Sequence, residues 1–196
     1  MVALLLVTLV GGCGLLRLPR GGTPIGGQTQ HFAGETTTLS ADGGRELIPP
    51  TPTLLERVID PRRARVIERV FQPNYRAETV IADTGRRDEK GVAEFAATVD
   101  DDSFGGAYRY SDSPLTGGGR WVFDLILANG AGRIEGHGEH DAAGRRTERR
   151  YVTVDDQVRV ILREDLRPVS REEYRRRLIE MTRGPSTQPA TSPAPR

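Results

Sequence analysis

From Tyr75 to Arg163 the chain alternates apolar and polar residues with a period of two. Turn signals break the pattern roughly every dozen residues, and nothing helical intervenes. No other feature narrows the accessible folds as far. Tyr75, Ala77, Thr79 and Ile81 share one face of a strand, with Arg76, Glu78 and Val80 on the other. Ala93, Phe95, Ala97 and Val99 form the next, and Ala107-Tyr108-Arg109-Tyr110 another. Trp121, Phe123, Leu125 and Leu127 make the strongest strand, which ends at Asn129-Gly130, a pair suited to the φ > 0 positions of a tight hairpin. Segments near 132–139, 146–154 and 158–163 follow, separated by Asp141-Ala142-Ala143-Gly144 and Asp155-Asp156-Gln157. The expected fold is α+β, with an antiparallel meander of about seven strands forming a curved sheet or small barrel.

Helices are expected at both ends of that meander. Thr53-Leu54-Leu55-Glu56 has the capping-box spacing, and apolar pairs recur at Leu54/Leu55, Val58/Ile59, Val66/Ile67 and Val70/Phe71. Asp60-Pro61 interrupts them, so the spacing predicts two short helices, over 53–59 and 61–70. Ser170-Arg171-Glu172-Glu173 is a second capping box, followed by Tyr174, Leu178 and Met181 on one face. Gly184-Pro185 stops that C-terminal helix. The single folded domain is therefore placed at 53–183. Residues 13–52, rich in Gly and Pro, read as a flexible linker with a weak strand around Glu35 to Leu39, and 184–196 as a disordered Pro/Ser/Thr-rich tail.

The first residues concern location. Val2 to Val10 is apolar apart from Thr8, within the usual length of a signal h-region and far below what spans a bilayer. Val10-Gly11-Gly12-Cys13 follows at once and resembles the lipobox of bacterial lipoproteins. Val10 stands where Leu is commoner, and no Lys or Arg precedes the apolar run. The resemblance implies that residues 1–12 are a removed signal peptide and that the Cys13 thiol carries the membrane anchor. It also implies an envelope protein, and Gly14 in place of Asp points to the outer membrane, facing the periplasm. Cys13 is the only cysteine, so no disulfide can form within one chain.

Charge excludes one class of partner. Twenty-eight basic residues face 27 acidic ones, so no global field attracts nucleic acid. Lys90 is the only lysine, an Arg bias read as genomic rather than as phosphate recognition.

The side chains with reactive chemistry are sparse. His137-Gly138-Glu139-His140-Asp141 holds the residue types that zinc accepts and supports a metal-dependent hydrolase or sensor as the alternative reading. On a strand, however, His137 and Glu139 share a face and His140 points the other way. No serine lies in a G-x-S-x-G elbow, and the paired aspartates sit in turns. Arg145, Arg146, Arg149 and Arg150 divide between two faces and read as an exposed polar strand. The reading is thus a non-enzymatic envelope lipoprotein without cofactor. It would serve as a binding or assembly module for a hydrophobic ligand or an envelope protein partner, with an apolar cavity between Trp121, Phe123, Leu125 and the C-terminal helix.

Overall fold

Strands form where side chains alternate, and also where apolar residues come in pairs. The computed structural model describes residues 27–89, 92–100, 104–112, 114–116 and 119–183. Within these the strands are β1 (Gln28–Ser40), β2 (Glu46–Asp60), β3 (Arg65–Gln72), β4 (Tyr75–Arg87), β5 (Ala93–Val99), β6 (Phe104–Tyr110), β7 (Arg120–Leu127), β8 (Gly132–His140), β9 (Arg146–Val154) and β10 (Gln157–Pro168). One helix, α1 (Arg171–Arg183), follows. Each strand is antiparallel to its successor, and β10 returns to pair with β1, from Phe32 opposite Pro168 to Ser40 opposite Val160. The result is a closed up-and-down barrel, in which no strand is left as an open edge along its whole length. The barrel has ten strands rather than the expected seven: those read from Tyr75 onward correspond to β4 to β10, and β1, β2 and β3 complete the closure.

The two N-terminal helices are absent. Residues 53–59 belong to β2, and of 61–70 only Pro61–Arg63 forms a 3₁₀ turn before β3 begins. Burial on both faces explains the misreading. Leu55 points into the barrel with Phe32, Leu166 and Val70, while Leu54 lies on the outer wall with Ala33 and Phe71, beneath α1. A strand covered on both sides carries apolar pairs, and pairs imitate helical spacing. The β-branched Val58, Ile59, Val66, Ile67 and Val70 decide for strand.

The linker expected at 13–52 is likewise folded from Gln28 onward, since it contains β1 and the start of β2. Pro49, Pro50 and Pro52 lie on the part of β2 that runs beyond β3, whose pairing starts with Leu54 opposite Phe71. On that open side a missing N–H costs no ladder bond. Gly34 is there for contact with β10: a Cβ would sit 2.0 Å from the carbonyl oxygen of Asp165. The expected signal segment, Cys13 and the expected tail at 184–196 lie outside the described residues.

Helix α1 begins as its capping box dictates, with the Glu173 amide donating to the Ser170 hydroxyl at 3.1 Å. Tyr174, Leu178 and Met181 then cover Ala33, Leu54 and Phe71 on the outside of the barrel. The expected cavity between this helix and Trp121, Phe123 and Leu125 therefore does not form. Those three side chains point inward, where they pack with Ile59, Val66, Ile81, Phe95, Tyr108 and Tyr110. Their rings form a contiguous file, with Tyr108 4.9 Å from Phe123 and Tyr110 6.1 Å from Trp121. Burying each large side chain contributes about 1.5–3 kcal/mol, which makes this the stabilising half of the interior.

Candidate functional site: a notch above a buried ion lattice

The barrel wall is incomplete at one end. β1 starts at Gln28, yet β10 ends at Pro168, opposite Phe32. Gln28 to His31 consequently pair only with β2, from Ile59 to Glu56. The last rung toward β10 is the Val169 amide donating to the His31 carbonyl at 2.9 Å. Beyond it β1 faces the turn between β8 and β9, and a cleft of about 930 Å³ opens there, lined by Gln30, Phe32, Gly119, His140, Asp141 and Arg171 among others. This is the size range of small-molecule sites.

His140 is the pivotal side chain of this notch. Alternation along β8 turns it inward, between the rings of Phe32 at 5.8 Å and Trp121 at 5.1 Å. Neither ring nitrogen has a hydrogen-bond partner among the described residues, and both are buried. Burial foremost, then the charges of Arg146 and Arg57, push its pKa from 6.5 down to about 3. The imidazole is neutral near pH 7, with one N–H to donate and one lone pair to accept.

Beneath His140 lies a lattice of ions. Arg146 donates to both oxygens of Glu68 at 2.9 and 3.1 Å, to Glu148 at 2.7 Å and to Glu164 at 3.2 Å. Arg150 bridges Glu148 and Glu164, and the Nε of Arg57 lies 3.3 Å from Glu68. Arg57 also donates to the Pro114 carbonyl at 3.0 Å and to the Gln30 side chain at 3.3 Å, which ties the lattice to the notch. The indole N–H of Trp121 donates to Glu148 at 2.9 Å. Three arginines and three glutamates thus balance their charge inside the barrel.

Electrostatics within the lattice is uneven. Burial opposes the charge on Arg146, but Glu68, Glu148 and Glu164 together outweigh it and raise its pKa. Burial likewise opposes ionisation of Glu148, and Arg150 and Arg146 outweigh it, so that carboxyl is held below the ordinary range. For Glu164 burial prevails over the same arginines and the pKa rises. Such a lattice is a poor source of net stability, but removing one member leaves a buried charge unmatched.

The structure separates the sequence candidates. His137 and Glu139 face outward, and Glu139 is 3.2 Å from Arg120, whereas His140 faces the interior. Among the described residues no group of three or more His, Cys, Asp or Glu side chains could hold a metal ion. Of Trp121, Phe123 and Leu125, the residue in contact with the His140 ring is Trp121. Arg146, read as part of an exposed polar strand, is only 3% exposed. Its alternation with Glu148 and Arg150 was the available signal: opposite charges at i, i+2 share one face and can pair across a barrel interior. Phe32, Gln30, Arg57, Glu68 and Glu164 carried no comparable local pattern.

No described helix is long and apolar enough to cross a membrane. Comparisons with protein-family models, with curated proteins and with solved structures find no match to this chain.

Proposed function

We propose that this chain is a non-enzymatic binding module of the bacterial envelope, anchored by lipid at Cys13 and facing the periplasm from the outer membrane. Its ligand is a small molecule with no net charge that enters the notch and hydrogen-bonds to His140 once the ring turns its buried nitrogens toward the cleft. The observation that carries the reading is the pairing of a cleft of about 930 Å³ with a neutral imidazole that has no hydrogen-bond partner among the described residues. A buried polar group left unsatisfied costs about 1–3 kcal/mol, and a ligand that both donates and accepts would recover it. Phe32 and Trp121 favour an apolar or planar body beside that polar contact. The balanced lattice supplies no net field for an ion, and its carboxylates are engaged by arginines rather than poised as bases.

Two measurements test this. Full-length protein extracted from membranes in mild detergent should retain a small molecule in native mass spectrometry, and His140→Leu should lose it while keeping a native thermal melt. Identical spectra without any bound mass from both proteins, together with Trp121 fluorescence indifferent to a panel of fatty amides and aromatic amides, would overturn the ligand reading. Separately, Cys13→Ser should move the protein from the membrane fraction to the soluble one, and retention in the membrane would refute the anchor.

A further inference from the structure

The outer wall of the barrel carries a second feature, remote from the notch in character. Across β6 to β10 the outward arginines almost all have a carboxylate within reach. Arg109 is 3.8 Å from Glu94, Arg120 is 3.2 Å from Glu139, Arg133 is 2.7 Å from Asp124, Arg159 is 3.8 Å from Asp155 and Arg167 is 3.6 Å from Glu173. Arg149 and Arg163 are the exceptions, with no ion pair among the described residues. They are also direct cross-strand partners in the register of β9 and β10. Asp165, two residues along the same face, is taken by Arg145.

Like charges set opposite each other destabilise a sheet. The neighbouring strand adds another nitrogen donor to the row, since His137 is the register partner of Arg149 on the β8 side. Thr37 of β1 is the partner of Arg163 on the other. The Arg149 guanidinium lies 5.8 Å from the centre of the Tyr151 ring, and its Nε is buried without a hydrogen-bond partner among the described residues. A groove of about 630 Å³ runs along this wall, lined by Arg149, Arg163, His137, Thr147, Arg120 and Val122 among others. Two planar guanidiniums from facing positions of adjacent strands that line one groove, with a polar row continuing on both sides, suit the oxygens of a phosphate or carboxylate group.

We infer that Arg149 and Arg163, with His137 beside them, form an oxyanion site on the outer wall, which takes either a free phosphorylated or carboxylated molecule or the phosphate of an anionic lipid headgroup. The inference does not rest on the reading of the notch. The two sources share the same recognition chemistry and differ in what carries the anion.

The test uses full-length Cys13→Ser protein, with inorganic phosphate as one probe and phosphatidylglycerol vesicles as the other, against phosphatidylcholine vesicles. Saturable phosphate binding in calorimetry, weakened about tenfold by Arg149→Gln or Arg163→Gln, supports a free oxyanion ligand. Flotation with the anionic vesicles alone, lost in the same variants without phosphate binding, supports the headgroup. Arg120→Gln is the control for total charge, because it removes one cation from the same groove. Equal weakening by Arg120→Gln, or no binding of either probe, overturns the site. Folding supplies an independent readout. Each glutamine variant should melt at or above the temperature of the parent in the absence of anion, since it relieves the facing charges, and phosphate should raise the parent's melting temperature only.

Discussion

The indole of Trp121 reaches across Gly138 to bond the Glu148 carboxylate at 2.9 Å, so that β7 and β9 touch over the top of β8. Register makes this possible: Gly138 is the cross-strand partner of Trp121 on one side and of Glu148 on the other. A Cβ at Gly138 would lie 2.3 Å from Cζ2 of the indole and 2.7 Å from the Thr147 carbonyl oxygen. Gly138→Ala should therefore destabilise the barrel by about 1–3 kcal/mol, as overpacking does. Trp121 is the only tryptophan, so its emission in urea unfolding reports the change directly. An unaltered midpoint would mean that the indole is elsewhere.

Removing the indole donor should hurt for a different reason. Trp121→Phe keeps most of the ring but leaves one Glu148 oxygen with one donor fewer, at a cost of about 1–3 kcal/mol. The loss should be smaller in a Glu148→Gln background, where no carboxylate charge is stranded. Circular-dichroism melts of the two singles and the double give the coupling between them.

Arg146→Met is expected to be the most damaging single substitution in the lattice, costing about 3–5 kcal/mol, because it strands negative charge that it now neutralises. Its pH dependence identifies the cause. Without Arg146 the folded-state pKa of Glu148 should rise from its lowered position, and that of Glu164, already raised by burial, should rise further. That variant should then gain stability relative to the parent as pH falls through those raised values, and lose it as pH rises. Denaturant unfolding at a series of pH values measures the difference.

His140 gives the opposite slope. Its pKa is 6.5 when unfolded and about 3 in the barrel, through burial and the repulsion of Arg146 and Arg57. Between those values the unfolded chain binds a proton that the folded one does not, so stability falls as pH drops from about 6.5 toward 3. His140→Phe should make that acid limb shallower. A residual slope is expected from His31, whose pKa is also lowered, chiefly by burial. An unchanged limb in the variant would show an imidazole that protonates normally.

Period-two alternation from Tyr75 onward made seven strands legible, because each of them buries one face and leaves the other wet. β2 and β3 were not legible for the same physical reason in reverse: covered inside by Leu55's neighbours and outside by α1, their apolar pairs carry no one-sided pattern. β1 was legible only as the weak strand around Glu35 to Leu39, its remainder masked by Gly34 and the prolines of the following strand, which occupy a close approach and an open strand side rather than a tether. The site fared similarly. His140's inward direction follows from strand geometry, but its ring neighbour Phe32 lies more than a hundred residues earlier. The lattice joins Glu68 of β3 to Arg146 of β9, a pairing that only closure of the barrel creates.

The seam between β1 and β10 joins the beginning of the domain to its end. As the chain emerges from a ribosome or any channel, nine strands can zip onto one another in order, but none of that seals the molecule until the last has been delivered. Until then β1 and the newest strand are both sticky edges, and the three interior arginines have only two of their glutamates, since Glu164 arrives with β10. Long-range closure of this kind is slow. Closure of the barrel, as distinct from pairing of its strands, is consequently withheld until β10 has been made.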